Sequence, residues 1–137
     1  MPDFVHLHNH TQFSLLDGAS NIDVLMDKAG ADGMKGVALS DHGNMFGAFK
    51  FVSAAEKRGL KPIIGCEFYL VEDRHKRSFV KSKGERDVRY HQLLIAKNAK
   101  GYENLCKLCS LGFIDGLYGK FPRIDKELIE KYHEGII

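Results

Sequence analysis

Short apolar runs alternate along the chain with longer segments whose apolar residues recur at helical spacing. The short runs predict strands at 4–10, 37–40, 61–71 and 92–96. The longer segments predict helices from Ser20 toward Gly33 and at about 46–58, 101–111 and 124–133. Ser20 is the predicted N-cap of the first helix, with Asp23 in the place of the usual capping-box glutamate. The predicted buried faces are Ile22, Leu25, Met26 and Ala29 in the first helix, and Phe49, Val52 and Ala55 in the second.

Repeated strand–helix units favour parallel strands with helices packed outside, as in a parallel α/β sheet or a (β/α) barrel. Right-handed crossovers then place the C-terminal ends of all strands on one rim, where such folds hold their sites. A complete barrel typically needs about 250 residues, and this chain has 137. It ends on an apolar run at 135–137 that resembles the start of another buried strand. We therefore expect a fragment of a longer protein.

A polar stretch at 72–89 separates the third and fourth predicted strands. It carries seven basic and four acidic residues, a net charge of +3. A solvated loop or hairpin is one interpretation, and an edge that contacts phosphates is the other. Phe79 is the one aromatic residue in the stretch, so the pattern favours the solvated loop.

The composition is that of a globular protein, with 44% hydrophobic and 28% charged residues. The net charge of +2 neither requires nor excludes a nucleic-acid partner. No export signal accompanies Cys66, Cys106 and Cys109, which predicts reduced thiols in a cytoplasmic protein. The Cys106–Cys109 spacing could form half a zinc site, but in a helix both residues are expected to face the core with Leu105 and Leu108.

Histidine supplies the candidate chemistry, because three of the seven histidines fall within the first ten residues. Side chains alternate across a strand, so His6, His8 and His10 share one face. His8 and His10 lie at the predicted strand end, where two imidazoles can reach one metal ion. His6 lies deeper and is predicted to be a core histidine. His75 and His133 are expected at the solvated surface.

Other predicted strand ends add further metal ligands. His42 follows the second strand, and Glu67 lies in the third, where a buried carboxylate is costly unless it is paired or binds a cation. Cys66 should face the opposite way, into the helices. Asp41 is expected to orient its neighbours without contacting the metal. The candidate ligands are His8, His10, Asp17, His42, Glu67 and His91.

A mixed set of histidines and carboxylates suits Zn²⁺, Mn²⁺ or Fe²⁺ better than Mg²⁺ or Ca²⁺. Six ligands are too many for one tetrahedral ion, so they predict two or three ions with Glu67 as a bridge. His91 fits this pattern least well. It begins its predicted strand, and a parallel arrangement would place it at the opposite rim.

The motifs resemble those of the PHP (polymerase and histidinol phosphatase) superfamily. They are His8-Asn-His-Thr11, Ser14-Leu-Leu-Asp-Gly18, Ser40-Asp-His-Gly-Asn44 and Gly65-Cys-Glu67. More narrowly, 94–105 and 122–125 resemble the N-terminal PHP domains of the bacterial DNA polymerase III alpha-subunit family. The resemblance implies a distorted (β/α)₇ TIM-like barrel, with 1–137 as its N-terminal half to two-thirds. It also implies a cluster of two or three metal ions held by the six ligands, including His91.

The resemblance further implies metal-assisted phosphoester hydrolysis, in some members a 3′–5′ proofreading exonuclease, with His8, His10 and Glu67 as catalytic residues. The implied partners are a DNA primer terminus, the rest of the polymerase chain, and proofreading and clamp subunits. Ligands of the family that follow residue 137, and the polymerase palm, are absent from the sequence, so we expect no polymerisation by this chain alone. The alternatives are a metal-dependent amidohydrolase, a stand-alone phosphoesterase such as histidinol phosphatase, and a non-catalytic structural module.

Overall fold

The computed structural model describes residues 4–15, 17–80 and 84–137. The strands are β1 (Gly36–Leu39), β2 (Lys61–Leu70), β3 (Tyr90–Ile95) and β4 (Arg123–Ile124). The helices are α1 (Ile22–Ala31), α2 (Ala48–Glu56), α3 (Ala99–Ile114) and α4 (Lys126–Tyr132). Among the described residues, none of the helices combines the length and the apolar character needed to cross a membrane.

The sheet is built around β2. Strands β1 and β4 pair with it in parallel, whereas β3 pairs with it antiparallel, with Tyr69 opposite His91. The expectation of parallel strands is therefore wrong for β3. The described parts of the 71–89 connection contain no helix, and strands joined without a crossover helix pair antiparallel. The fold is mixed α/β, and closure into a barrel stays a prediction.

The predicted first strand is an extended segment beside β1 rather than a regular strand. Ala38 N–H donates to the His6 carbonyl and Ser40 N–H donates to the Asn9 carbonyl. The segment therefore advances three residues where the neighbouring chain advances two. The Asn9 amide donates to the carbonyls of His6 and Ala38, and the Ser40 hydroxyl exchanges hydrogen bonds with the Asn9 backbone. Side-chain hydrogen bonds thus replace part of the ladder, as in a bulge. His6 is exposed, so the prediction of a core histidine is wrong.

Two apolar clusters anchor the sheet to its helices. The first contains Ile22, Met26, Ala29, Val37, Leu39, Ala48, Phe51, Ala54, Ala55 and Leu60. The second contains Cys66, Phe68, Leu94, Leu105, Leu108, Ile124 and Leu128. The predicted face of α1 is confirmed, with Leu25 at its edge. On the predicted face of α2, Ala55 is buried and Val52 is half-buried, but the prediction is wrong for Phe49, which is 87% exposed while Phe51 is buried.

The cysteines follow the predicted layering in part. Cys66 is fully buried and faces the helices, opposite to Glu67. Burial raises the pKa of the Cys66 thiol well above its ordinary value. Cys109 packs against the second cluster, and its burial raises its pKa to about 11. Cys106 is half-buried outside that cluster, so the prediction that both thiols face the core is wrong for Cys106. His75 and His133 are exposed, as predicted.

The described part of the polar stretch is largely exposed, as the solvated-loop interpretation predicts, and two arginines bind it to the fold. The buried Arg123 guanidinium donates to the Asp87 carboxylate and to the carbonyls of Gly116, Arg74 and Lys76, each at 2.9 Å. We call these contacts the Arg123 network. They fix both ends of the described part of the stretch; residues 81–83 lie outside the described residues.

A second ion pair holds the same stretch to α4. Arg74 Nη1 lies 2.8 and 2.9 Å from the two carboxylate oxygens of Asp125. Asp125 is also the N-cap of α4, since its carboxylate accepts from the Leu128 N–H. The beginning of α4 and the start of the polar stretch are thus positioned by one side chain.

The N-cap of α1 is Asn21 rather than the predicted Ser20, and this difference gives a direct test. The Asn21 side chain accepts hydrogen bonds from the N–H groups of Asp23 and Val24. Replacing Asn21 with alanine is expected to lower the free energy of unfolding by about 1 kcal/mol. The matched control is Ser20→Ala, which should leave the urea midpoint nearly unchanged. An equal loss in both variants would contradict this assignment.

Candidate metal centre

Glu67 is the buried carboxylate around which the site is built. It lies between Cys66 and Phe68 on β2, and the alternation of side chains turns it away from the helices. Two backbone hydrogen bonds fix the position of Glu67 relative to 41–43. Glu67 N–H donates to the Asp41 carbonyl, and Gly43 N–H donates to the Glu67 carbonyl. Gly43 has φ +64°, and a Cβ there would lie 2.8 Å from a Pro122 carbon. The turn that sets His42 beside Glu67 therefore favours glycine at this position.

Four imidazoles surround the Glu67 carboxylate. Its Oε2 contacts His8 Nε2 and lies 3.1 Å from His10 Nε2 and 3.5 Å from His42 Nε2. Its Oε1 lies 2.6 Å from His91 Nδ1. The Glu67 side chain is only 4% exposed. One buried acid therefore joins four histidines from three separate segments.

Asp17 joins the cluster on its open side. Its carboxylate Oδ2 lies 3.3 Å from His42 Nε2 and accepts from the Ser14 hydroxyl at 3.1 Å. Three overlapping groups result, each with ligand atoms within 4.8 Å of one another. They are His8, His10 and Glu67; His10, Asp17 and His42; and His42, Glu67 and His91. The structure thus brings together all six residues that the sequence predicted as ligands.

The antiparallel pairing of β3 explains the position of His91. The start of an antiparallel strand lies beside the C-terminal end of its partner, and His91 is paired with Tyr69 near the end of β2. The conflict between His91 and the predicted rim came from assuming a parallel fourth strand. With the observed topology, His91 reaches Glu67 directly.

Asp41 is a buried residue that contacts the cluster through Thr11. Its buried carboxylate accepts from the Thr11 N–H at 2.5 Å and from the Thr11 hydroxyl at 2.8 Å, next to His10 in the chain. Burial raises the pKa of Asp41, and the hydrogen bonds from Thr11 partly oppose that rise. These contacts fit the prediction that Asp41 orients its neighbours, which itself stays a prediction.

Tyr69 is a site residue that the sequence reasoning missed. Its hydroxyl lies 3.3 Å from His42 Nδ1, and its ring meets the His91 ring edge-on at 5.4 Å. Burial, with the negative charges of Asp17 and Glu67, raises the pKa of the Tyr69 phenol. Tyr69 lies two residues after Glu67 on the same strand, so side-chain alternation could have found it.

The electrostatics of the cluster suit a cation. Burial raises the pKa of Glu67, but contacts with His8 and His91 outweigh it, and the net pKa lies below its ordinary value. Burial lowers the pKa of His42, which favours the neutral imidazole that metals bind. His10 Nδ1 is buried without a hydrogen-bond partner among the described residues, and the Nε2 atoms of His10 and His42 face each other at 3.1 Å. The residues therefore fit divalent metal ions.

A mixed α/β sheet with histidines and carboxylates gathered at strand ends is typical of metal-dependent hydrolases. The chain belongs to the PHP domain family, whose sequence model matches residues 6–137. One similar solved structure is a candidate metal-dependent phosphoesterase from Bifidobacterium adolescentis, 25% identical with a TM-score of 0.53. The match covers 80% of this chain and 34% of that one. An amidohydrolase from Chromobacterium violaceum, 22% identical, has a similar fold, with a TM-score of 0.52 over 94% of this chain and 47% of its own.

Several curated proteins that match nearly the whole of this chain are named DNA polymerase III subunit alpha. DNA polymerase III subunit alpha of Aquifex aeolicus is 53% identical over 98% of the chain, which covers 12% of that protein. The subunits of Borreliella burgdorferi and of Helicobacter pylori strain 26695 are 47% and 48% identical, each over 98% of the chain. The chain spans 11% of each of those two relatives. The resemblance inferred from the motifs is confirmed.

Proposed function

We propose that this chain is the N-terminal part of the PHP domain of a bacterial replicative DNA polymerase. Its ligand cluster is the active site of a metal-dependent phosphoesterase, which acts as a 3′–5′ exonuclease on the primer terminus. The observation that carries the proposal is the clustering of six candidate ligand residues, with four histidines around the buried carboxylate of Glu67. The high identity to polymerase III alpha subunits supports the polymerase context.

The proposed cofactors are two or three divalent ions, with Zn²⁺, Mn²⁺ and Fe²⁺ as the candidates. Each of His10, His42 and Glu67 belongs to two of the three ligand groups, which supports more than one ion with Glu67 as the bridge. Such ions clamp a phosphate and lower the pKa of water toward neutrality. His8, His10 and Glu67 are the proposed catalytic residues, and Asp17, His42 and His91 complete the ligand set.

The chain's own hydrogen bonds prepare these ligands. His42 directs Nε2 at the cluster; with a metal ion bound there, its Nδ1 would carry the proton and donate it to the Tyr69 hydroxyl 3.3 Å away. Asp41 holds Thr11 and, through the backbone, the adjacent His10. Ligands fixed in this way need little reorganisation when substrate binds.

The proposed reaction is hydrolysis of the terminal phosphodiester. Water forms a bond to phosphorus in line with the leaving group, the bond between phosphorus and the 3′ oxygen breaks, and that oxygen takes up a proton. The products are a mononucleotide and a strand shortened by one residue. The role of the cluster is to hold the ions that bind the phosphate, with Glu67 buried at its base and His8, Asp17 and His91 exposed to substrate. The proposed partners are DNA, the rest of the polymerase chain, and proofreading and clamp subunits, in the cytoplasm.

The test is hydrolysis of a single-stranded oligonucleotide by the full-length protein with added Mn²⁺ or Zn²⁺. His8→Ala should lower the rate at least about 100-fold, because even groups that only support metal ligands typically contribute 10- to 100-fold. The matched control is His75→Ala, an exposed histidine outside the cluster, which should keep the rate. Equal rates in both variants would contradict the proposal, and hydrolysis of amides but not phosphodiesters would favour an amidohydrolase.

A further inference from the structure

We propose that a cleft beside the ligand cluster binds the nucleobase of the terminal nucleotide, by stacking against Phe46 and Phe113. This inference rests on the proposed function, because it assumes that the phosphate of a nucleic acid lies at the cluster. It adds a base-binding subsite, built from residues outside the ligand set.

The cleft is lined by two chemically different sets of residues. Its volume is about 460 Å³, within the range of about 300–1,000 Å³ that is common for ligand sites. Asp17, His42 and His91 line the cleft, so it adjoins the ligand cluster. Phe46 and Phe113 lie in the same cleft. A molecule bound by its phosphate at these ligands therefore has aromatic side chains within the same cleft.

The two phenylalanines are exposed and paired. Phe46 is 60% exposed and Phe113 is 37% exposed, and both lie outside the two apolar clusters of the described residues. Their ring centroids are 6.1 Å apart with an interplanar angle of 29°. They come from different elements, since Phe46 precedes α2 and Phe113 lies near the end of α3. The stacked pair leaves aromatic surface exposed at the cleft.

Flat aromatic surface favours a nucleobase over the sugar of a small phosphate ester. Every base has a π-face, so stacking contributes about 1–3 kcal/mol per base without selecting a sequence. That lack of selectivity suits an exonuclease, which must accept any terminal base. Lys120 is exposed on the same cleft and adds a positive charge for the anionic strand. The cleft thus offers aromatic side chains for the base of a nucleotide and a positive charge for its phosphate.

The experiment compares two oligonucleotides that differ only at the 3′ end, where one carries a normal base and the other an abasic residue. With the metal-loaded full-length protein, kcat/KM should be roughly tenfold higher for the base-containing strand, given the strength of base–aromatic stacking. Phe46→Leu keeps the apolar bulk and should remove most of this preference, as should Phe113→Leu. Neither variant should change the rate on the abasic strand by more than about twofold. The control is Phe49→Leu, an exposed phenylalanine outside the cleft.

A binding measurement gives a second readout that does not depend on turnover. A 2-aminopurine base at the 3′ end is expected to lose fluorescence on binding, and the loss should be smaller with Phe46→Leu than with Phe49→Leu. Equal hydrolysis of both strands by the unmodified protein would overturn the inference and leave the proposed function intact. Hydrolysis of neither strand would overturn the proposed function itself. A lower melting temperature in the Phe46 and Phe113 variants, with the base preference unchanged, would show that the pair packs against protein, which also overturns the inference.

Discussion

Replacing Glu67 with glutamine is expected to remove most of the bound metal and to abolish hydrolysis. Glutamine keeps the size of the side chain, but it removes the negative charge that four imidazoles contact. One of its two oxygens also becomes an NH₂ group, which donates hydrogen bonds and cannot bind a cation. Elemental analysis of the full-length protein should show the loss of metal, and the oligonucleotide assay the loss of rate.

The control for this prediction is Glu72→Gln, which makes the same chemical change at an exposed residue close to the end of β2. It should keep the metal content and the rate of the unmodified protein. If Glu67→Gln also retained its full metal content, Glu67 would not be the residue that joins the ligand groups. Retained metal with lost hydrolysis would instead assign Glu67 to catalysis alone.

Much of the candidate site could be predicted because side-chain alternation is a local property. In an extended segment, successive side chains point to opposite faces, and this alternation placed His8, His10 and Glu67 on the face that forms the cluster. The costly burial of a carboxylate gave a second, independent reason to single out Glu67. The same alternation applies to Tyr69, which was missed because a tyrosine in a strand has an ordinary packing role.

The parts that failed depend on long-range pairing. The polar stretch returns the chain antiparallel to β2, and Arg123 and Asp125 hold it through partners that lie 36 and 51 residues away in sequence. Periodicity cannot show such pairs. The phase of α2 was ambiguous for a related reason: Phe49 and Phe51 both fit an apolar helix face, and only packing against the sheet decides between them.

Replacing Arg123 with methionine is expected to destabilise the protein by roughly 3–5 kcal/mol, because it removes a fully buried guanidinium on which four hydrogen-bond acceptors depend. Arg123 is fully buried, and Asp87, its partner in the Arg123 network, has a side chain only 9% exposed. The substitution also leaves the carbonyls of Gly116, Arg74 and Lys76 without this donor. Urea unfolding should show the loss as a lower midpoint.

The control for this substitution is Arg77→Met, because Arg77 is exposed and makes a single described hydrogen bond, to the Asp115 carbonyl. It should change the free energy of unfolding by no more than about 1 kcal/mol. Asp87 keeps its ion pair with Arg89 when Arg123 is replaced, so adding Asp87→Asn to Arg123→Met should recover little of the loss. Since the Arg123 network holds Asp87 just before β3, the Arg123 variant should also bind less metal through a displaced His91. Equal urea midpoints for the Arg123 and Arg77 variants would show that the polar stretch is held by other contacts.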